Sequence, residues 1–122
     1  MDYGSKFKVI RLERGKTQQD IADYIGKSNM LISGIETGKN KVFSDDDFLK
    51  ISEYLSLTEE EKKELYKLAI ISNSKLPKEL SDYMCSSNKI IDLIEVVKES
   101  KCNDKEIKTL IEYCKKIMKE KR

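Results

Sequence analysis

The sequence predicts an all-α protein: an N-terminal bundle of five short helices over residues 1–71, then a short helical C-terminal region over residues 72–122. Three observations carry this. Apolar residues recur at spacings of three and four, as in Ile107, Leu110, Ile111, Cys114, Ile117 and Met118. Residues that cap helices stand ahead of such runs at Thr17, Ser28, Ser44, Thr58 and Asn103. Breakers are scarce, one proline and five glycines in 122 residues, while 38% of residues are charged, which suits solvated helices.

The first helix is expected over residues 5–14, capped by Ser5, with Phe7, Ile10 and Arg14 at helical spacing and Gly15 as its stop. The second begins after Thr17 and buries Ile21, Ala22 and Ile25. Gly26 follows it, where a left-handed turn favours a residue without a Cβ. Ser28 then caps a third helix, about 29 to 37, whose inward positions are Leu31, Ile32 and Ile35 and which stops at Gly38. Two short helices joined by about three residues including a glycine form a helix-turn-helix arrangement. In that arrangement the first helix crosses the DNA backbone and the second lies in the major groove.

These residues also resemble a family. The run TQQDIA...G.S...IS.IE.GK is similar to that of the Xre/Cro-type, phage-repressor-like helix-turn-helix regulators, most closely over about residues 6 to 57. The markers present are Arg11, Gln18, Gln19, Ala22, Gly26, Ser28, Ile32, Ser33, Glu36 and Gly38. The resemblance implies a repressor-like bundle and a structural ion pair between Arg11 and Glu36, which would lock the first helix against the third. It also implies that Gln18 meets the DNA backbone, and that the loop Lys39, Asn40 and Lys41 grips phosphate beyond the third helix. Lys16 departs from the pattern, because an apolar residue usually precedes the Thr. Its stem is expected to cover the core while its ammonium reaches solvent or phosphate.

The residue types agree with those roles. Gln18 stands at a helix N-terminus, where free N–H groups and the helix dipole attract phosphate, and Gln19 can support it. Lys27 and Ser28, in the turn, are further candidates for backbone contact. With Leu31, Ile32 and Ile35 turned inward, Asn29, Met30, Ser33 and Gly34 face outward as candidates for base contact. Asn can bond an adenine edge through two hydrogen bonds, Met can touch a thymine methyl, and Ser can donate or accept. A glycine inside a helix costs about 1 kcal/mol relative to alanine, so Gly34 is expected to permit close approach to DNA.

Ser44 caps a fourth helix over 44–56, in which Asp45, Asp46 and Asp47 meet the positive end of the dipole. Consecutive carboxylates on a helix point in different directions, so no metal site is read from them. Phe48, Leu49, Ile51 and Leu55 are expected to close the core. A fifth helix follows the capping box of Thr58 and Glu61, with Leu65, Leu68, Ala69 and Ile71 as its buried stripe.

SNSKLP, residues 72–77, reads as the linker. Pro77 suits the first turn of a sixth helix running to about Cys85. Residues 89–100 and the stretch after Asn103 or Asp104 read as two more. The apolar surface on these helices is large for so short a region. It points to homodimerisation, to an intramolecular extension of the core, or to a protein partner. A twofold dimer would match a palindromic operator in double-stranded DNA.

Charge and composition narrow the function. Residues 1–43 carry eight Lys or Arg against five Asp or Glu, a net +3, while residues 44–122 carry sixteen against seventeen, a net −1. The positive excess lies where phosphate binding would want it. Cys85, Cys102 and Cys114 form no C-x-x-C pair, and there is no histidine, so neither a zinc site nor the commonest general base is at hand. No cofactor and no enzyme activity are expected. No apolar run approaches the roughly 18 residues that would cross a membrane, and the start MDYGSKFKV lacks the apolar core of a signal peptide, so a cytoplasmic location is expected. The resemblance thus implies a dimeric repressor of a prophage, mobile-element or host operon. The alternative is an antitoxin that autoregulates its operon and holds a toxin through its C-terminal half.

Overall fold

A computed structural model of the chain describes residues 1–40 and 42–121. Among them are eight α-helices and no strand. The helices are α1 (Tyr3–Glu13), α2 (Gln18–Ile25), α3 (Asn29–Thr37), α4 (Asp45–Tyr54), α5 (Glu59–Asn73), α6 (Lys78–Met84), α7 (Asn88–Glu99) and α8 (Asp104–Glu120). They divide into two compact units, which meet between Leu76 and Pro77.

The first unit is built on local signals that agree with one another. The Thr17 hydroxyl accepts from the Asp20 N–H while the Asp20 carboxylate accepts from the Thr17 N–H, closing a capping box at α2. Thr58 and Glu61 do the same for α5. Ser28 and Ser44 cap α3 and α4 through single hydroxyl bonds to the N–H groups of Leu31 and Asp47. Gly26 ends α2 in the left-handed region at φ 69°, and this bend turns the chain sharply enough to lay α3 across α2.

The start of α1 differs from the expectation. Asp2, not Ser5, is the cap, and its carboxylate accepts from the Ser5 N–H at 2.8 Å. The helix therefore begins two residues earlier and brings Tyr3 into the core. Burial pushes the Tyr3 phenol up to about 12. Gly4 passes so close to the end of α3 that a Cβ there would run into the carbonyl oxygens of Ile35 and Glu36.

The core gathers Phe7 and Ile10 of α1, Ile21, Ala22 and Ile25 of α2, and Ile32 and Ile35 of α3. Phe43, Ile51, Leu55, Leu57 and Leu65 close it, and Leu31, Phe48, Leu68 and Ala69 pack on its margin. Ala22 is fully buried where α2 and α3 meet. Two expected core residues lie outside. Leu49 is 64% exposed because it sits on the face of α4 opposite Ile51. Ile71 is 71% exposed because it lies off the stripe of Leu65, Leu68 and Ala69. Arg14, just past the end of α1, ties three elements together: its Nε donates to the Leu55 carbonyl at 3.0 Å and its Nη2 to the Glu61 carboxylate.

The second unit holds α6, α7 and α8. Pro77 sits at the cap of α6, one position before its first turn. Ser87 caps α7, and Asn103 with Glu106 makes a capping box at α8. None of the described residues of these three helices is buried. Of their apolar residues, Ile91 and Ile94 of α7 and Leu110, Ile111 and Met118 of α8 are exposed, while Ile90, Val97 and Ile107 are half-buried. No helix among the described residues is long and apolar enough to cross a membrane.

Candidate nucleic-acid interface

The exposed side of α3 is held in place by a buried charge cluster on its other side. Arg11 of α1 grips Glu36 of α3 through two bonds, Nε to Oε2 at 2.7 Å and Nη2 to Oε1 at 3.0 Å. Both side chains are nearly excluded from solvent. Arg11 also donates through Nη1 to the Lys16 carbonyl at 2.8 Å. Gln18 of α2 adds a third member, its Nε2 donating to Glu36 Oε1 at 3.2 Å. A carboxylate with this many donors is compensated for its burial, and one residue fixes the mutual placement of α1, α2 and α3.

Gln18 is therefore half-buried, with its amide turned to Glu36 rather than wholly outward. The first-turn N–H groups of α2 lie beyond the reach of any intrahelical carbonyl. They border an open groove of about 510 Å³ lined by Arg11, Leu12, Gly15, Lys16, Thr17, Gln18, Gln19 and Asn29. Thr17 holds the Asp20 carboxyl below the usual carboxylate range through its backbone N–H, then through its hydroxyl.

Lys16 behaves differently from the expectation. Its ammonium lies 5.0 Å from the centre of the Tyr54 ring. That ring is stacked on Tyr24 at 4.3 Å between centroids. The cation thus caps an aromatic pair joining α2 to α4, a cation–π contact, instead of standing clear toward a phosphate. Tyr24 and Tyr54 carried no such signal in the sequence, since only the fold brings them together.

Along α3, Asn29 and Met30 are exposed, Met30 at 80%. Asn29 Nδ2 donates to Gln19 Oε1 at 3.2 Å, and Gln19 Nε2 donates to Asp23 Oδ1 at 2.8 Å, so the edges of α2 and α3 share one exposed row of amides. Ser33 is half-buried. Thr37 lies exposed one turn further, its hydroxyl donating to the Ser33 carbonyl at 2.9 Å. Thr37 was missed in the sequence, although its four-residue spacing from Ser33 places it on the same edge. Lys27, Ser28, Lys39 and Asn40 are exposed at the two ends of α3. Lys41 lies outside the described residues.

Gly34 corrects the sequence reading. It occupies the outer side of α3, yet it is buried, because the Asn40 side chain folds back over it. A Cβ on Gly34 would collide with the Asn40 amide. The glycine makes room for another residue of this chain.

A small helical bundle that displays the polar edge of its third helix, anchored through a buried Arg–Glu pair, has the arrangement of a helix-turn-helix module. The comparison with known families agrees: the helix-turn-helix family model matches residues 7–62. This segment is a helix-turn-helix domain of the Xre/Cro-like type, a family of DNA-binding regulators. No curated protein and no solved structure matches the chain.

Proposed function

We propose that the protein is a sequence-specific transcriptional repressor that reads a palindromic operator as a homodimer. One observation carries the reading: the outer edge of α3, with Asn29, Met30 and Ser33, is flanked on one side by the groove at the start of α2 and on the other by Lys39. Base-edge groups thereby stand between two places where phosphates can be held, which is how a recognition helix is seated in a major groove. Gln18, Gln19, Lys27, Ser28, Lys39, Asn40 and Lys41 serve the backbone in this reading.

Dimerisation is assigned to the C-terminal unit. The apolar faces of α7 and α8 are only partly covered, with Ile91, Ile94, Leu110, Ile111 and Met118 exposed. Helix α8 carries Asp104 and Glu106 in its first turn and Lys119 in its last, with Lys105 and Glu120 beside them. Two copies laid antiparallel oppose their helix dipoles and bring Asp104 and Glu106 of each near Lys119 of the other. Such a dimer would place two α3 helices in successive major grooves about 34 Å apart and block polymerase by occupancy.

Selection of bound duplexes from random DNA tests this. Two half-sites related by a dyad are expected. A purified chain that selects no site overturns the reading, and a single unpaired half-site overturns the dimer. Removing residues 101–122 should convert the dimer to a monomer in sedimentation. A truncated chain that still dimerises places the interface elsewhere.

A further inference from the structure

Gly34 stands midway along the outer side of α3, near Met30 one turn before it and Thr37 one turn after it. A side chain at that position would point into whatever the helix contacts. The chain places none there. After Gly38 it turns back, the Asn40 N–H donates to the Gly34 carbonyl at 3.0 Å, and the Asn40 side chain settles over the bare Cα of Gly34. Asn40 Nδ2 reaches the Leu31 carbonyl at 3.5 Å, one turn back along α3. The amide thus lies along the helix and occupies the volume that a residue at position 34 would fill.

Asn40 remains exposed in this position. An asparagine amide has two N–H donors and a carbonyl acceptor. The long contact to Leu31 engages one donor at most, so one N–H and the oxygen remain available, and an amide N–H with its carbonyl oxygen is the pair that matches the N6 and N7 edge of adenine. The backbone bond to Gly34 and the side-chain bond to Leu31 hold the group from both ends, so less rotamer freedom is lost on binding.

We propose that Asn40, folded over Gly34, is a base-reading residue of this protein: an amide from the loop after α3 takes the place of a side chain from α3 itself and specifies an adenine in the half-site. This rests on the DNA-binding reading above and replaces the backbone role given there to Asn40. It also gives the glycine a purpose, since any larger residue at position 34 evicts the reader.

The test is site selection from random duplexes with the full chain, alongside Asn40→Ala, Asn40→Asp and Gly34→Ala, each checked for helical content and melting. In Asn40→Ala, discrimination at one base pair of each half-site should fall by about 5- to 150-fold while the other positions keep theirs. Gly34→Ala should relax the same base pair, because the new methyl displaces the amide. Asn40→Asp, which accepts where the amide donated, should move the preference at that base pair toward cytosine. The proposal is overturned if Asn40→Ala weakens all sequences equally, as loss of a phosphate contact would. It is also overturned if Gly34→Ala leaves the selected site intact. Failure of the underlying reading looks different: the unaltered chain then selects no site at all.

Discussion

The two units use the same local language and reach opposite outcomes. In both, side-chain caps start the helices and apolar residues recur at helical spacing. In the first unit those stripes meet, and Ile10, Ile21, Ile32, Ile35 and Leu65 are almost completely buried. In the second, no described residue of α6, α7 or α8 is buried, although α7 and α8 are at least as amphipathic. Amphipathicity states that a helix has a face to hide. It does not state what hides it. The first unit supplies its own partners and fixes the exposed edge of α3 against a closed core. The second keeps much of its apolar surface exposed.

The contrast can be broken at several points. The largest effect is expected at Arg11. Arg11→Ala leaves the Glu36 carboxylate buried without its main partner, a loss of about 3–5 kcal/mol in urea unfolding. Replacing both residues together, Arg11→Met with Glu36→Met, should cost clearly less, because no charge is left stranded. A double variant as unstable as the single one would show that the pair contributes packing and not charge.

Core and stripe differ next. Ile32→Ala should destabilise the first unit by about 2–5 kcal/mol, since it leaves a cavity in a closed core. Ile111→Ala, in an open stripe, should leave the melting of the first unit unchanged and weaken self-association measured by dilution. A large loss of first-unit stability from Ile111→Ala would mean that α8 supports that core.

Within the interface, Asn29→Ala should cost about 1–3 kcal/mol on the selected site and spare non-specific DNA. Lys39→Ala should weaken both and lower the salt dependence by about one unit of slope. Equal losses on both DNAs for Asn29→Ala would remove it from the readers.

The smallest effect is electrostatic. The Glu61 carboxyl is held below its ordinary value of 4.5, first by the Thr58 N–H and then by Arg14. A carboxyl depressed by folding adds stability above its unfolded value and loses it as pH falls through the lower folded value. Acid titration of stability should therefore show a loss setting in below about pH 4.5 that is smaller in Glu61→Gln. An identical acid limb in Glu61→Gln would show that other carboxylates set it.

Much of the first unit was legible because its signals are local. The caps at Thr17, Ser28 and Ser44, the box at Thr58, and the turn at Gly26 each depend on residues within a few positions. Apart from the cap of α1, which is Asp2 and not Ser5, the misreadings were of two kinds. Leu49 and Ile71 were placed inside because they are apolar, although their angular positions turn them away from the core. Lys16 and Gly34 were read by their neighbours in sequence, while their surroundings come from Tyr54 and Asn40.

Periodicity and capping act over one or two turns, so the helices, the helix-turn-helix and the polar residue types along the outer edge of α3 could be read from spacing alone. Which glycine is covered, which lysine is held against a ring and how much apolar surface α7 and α8 keep exposed emerge only in the folded chain. Those outcomes depend on contacts between residues that the chain brings together only after folding, and a spacing rule has no term for them.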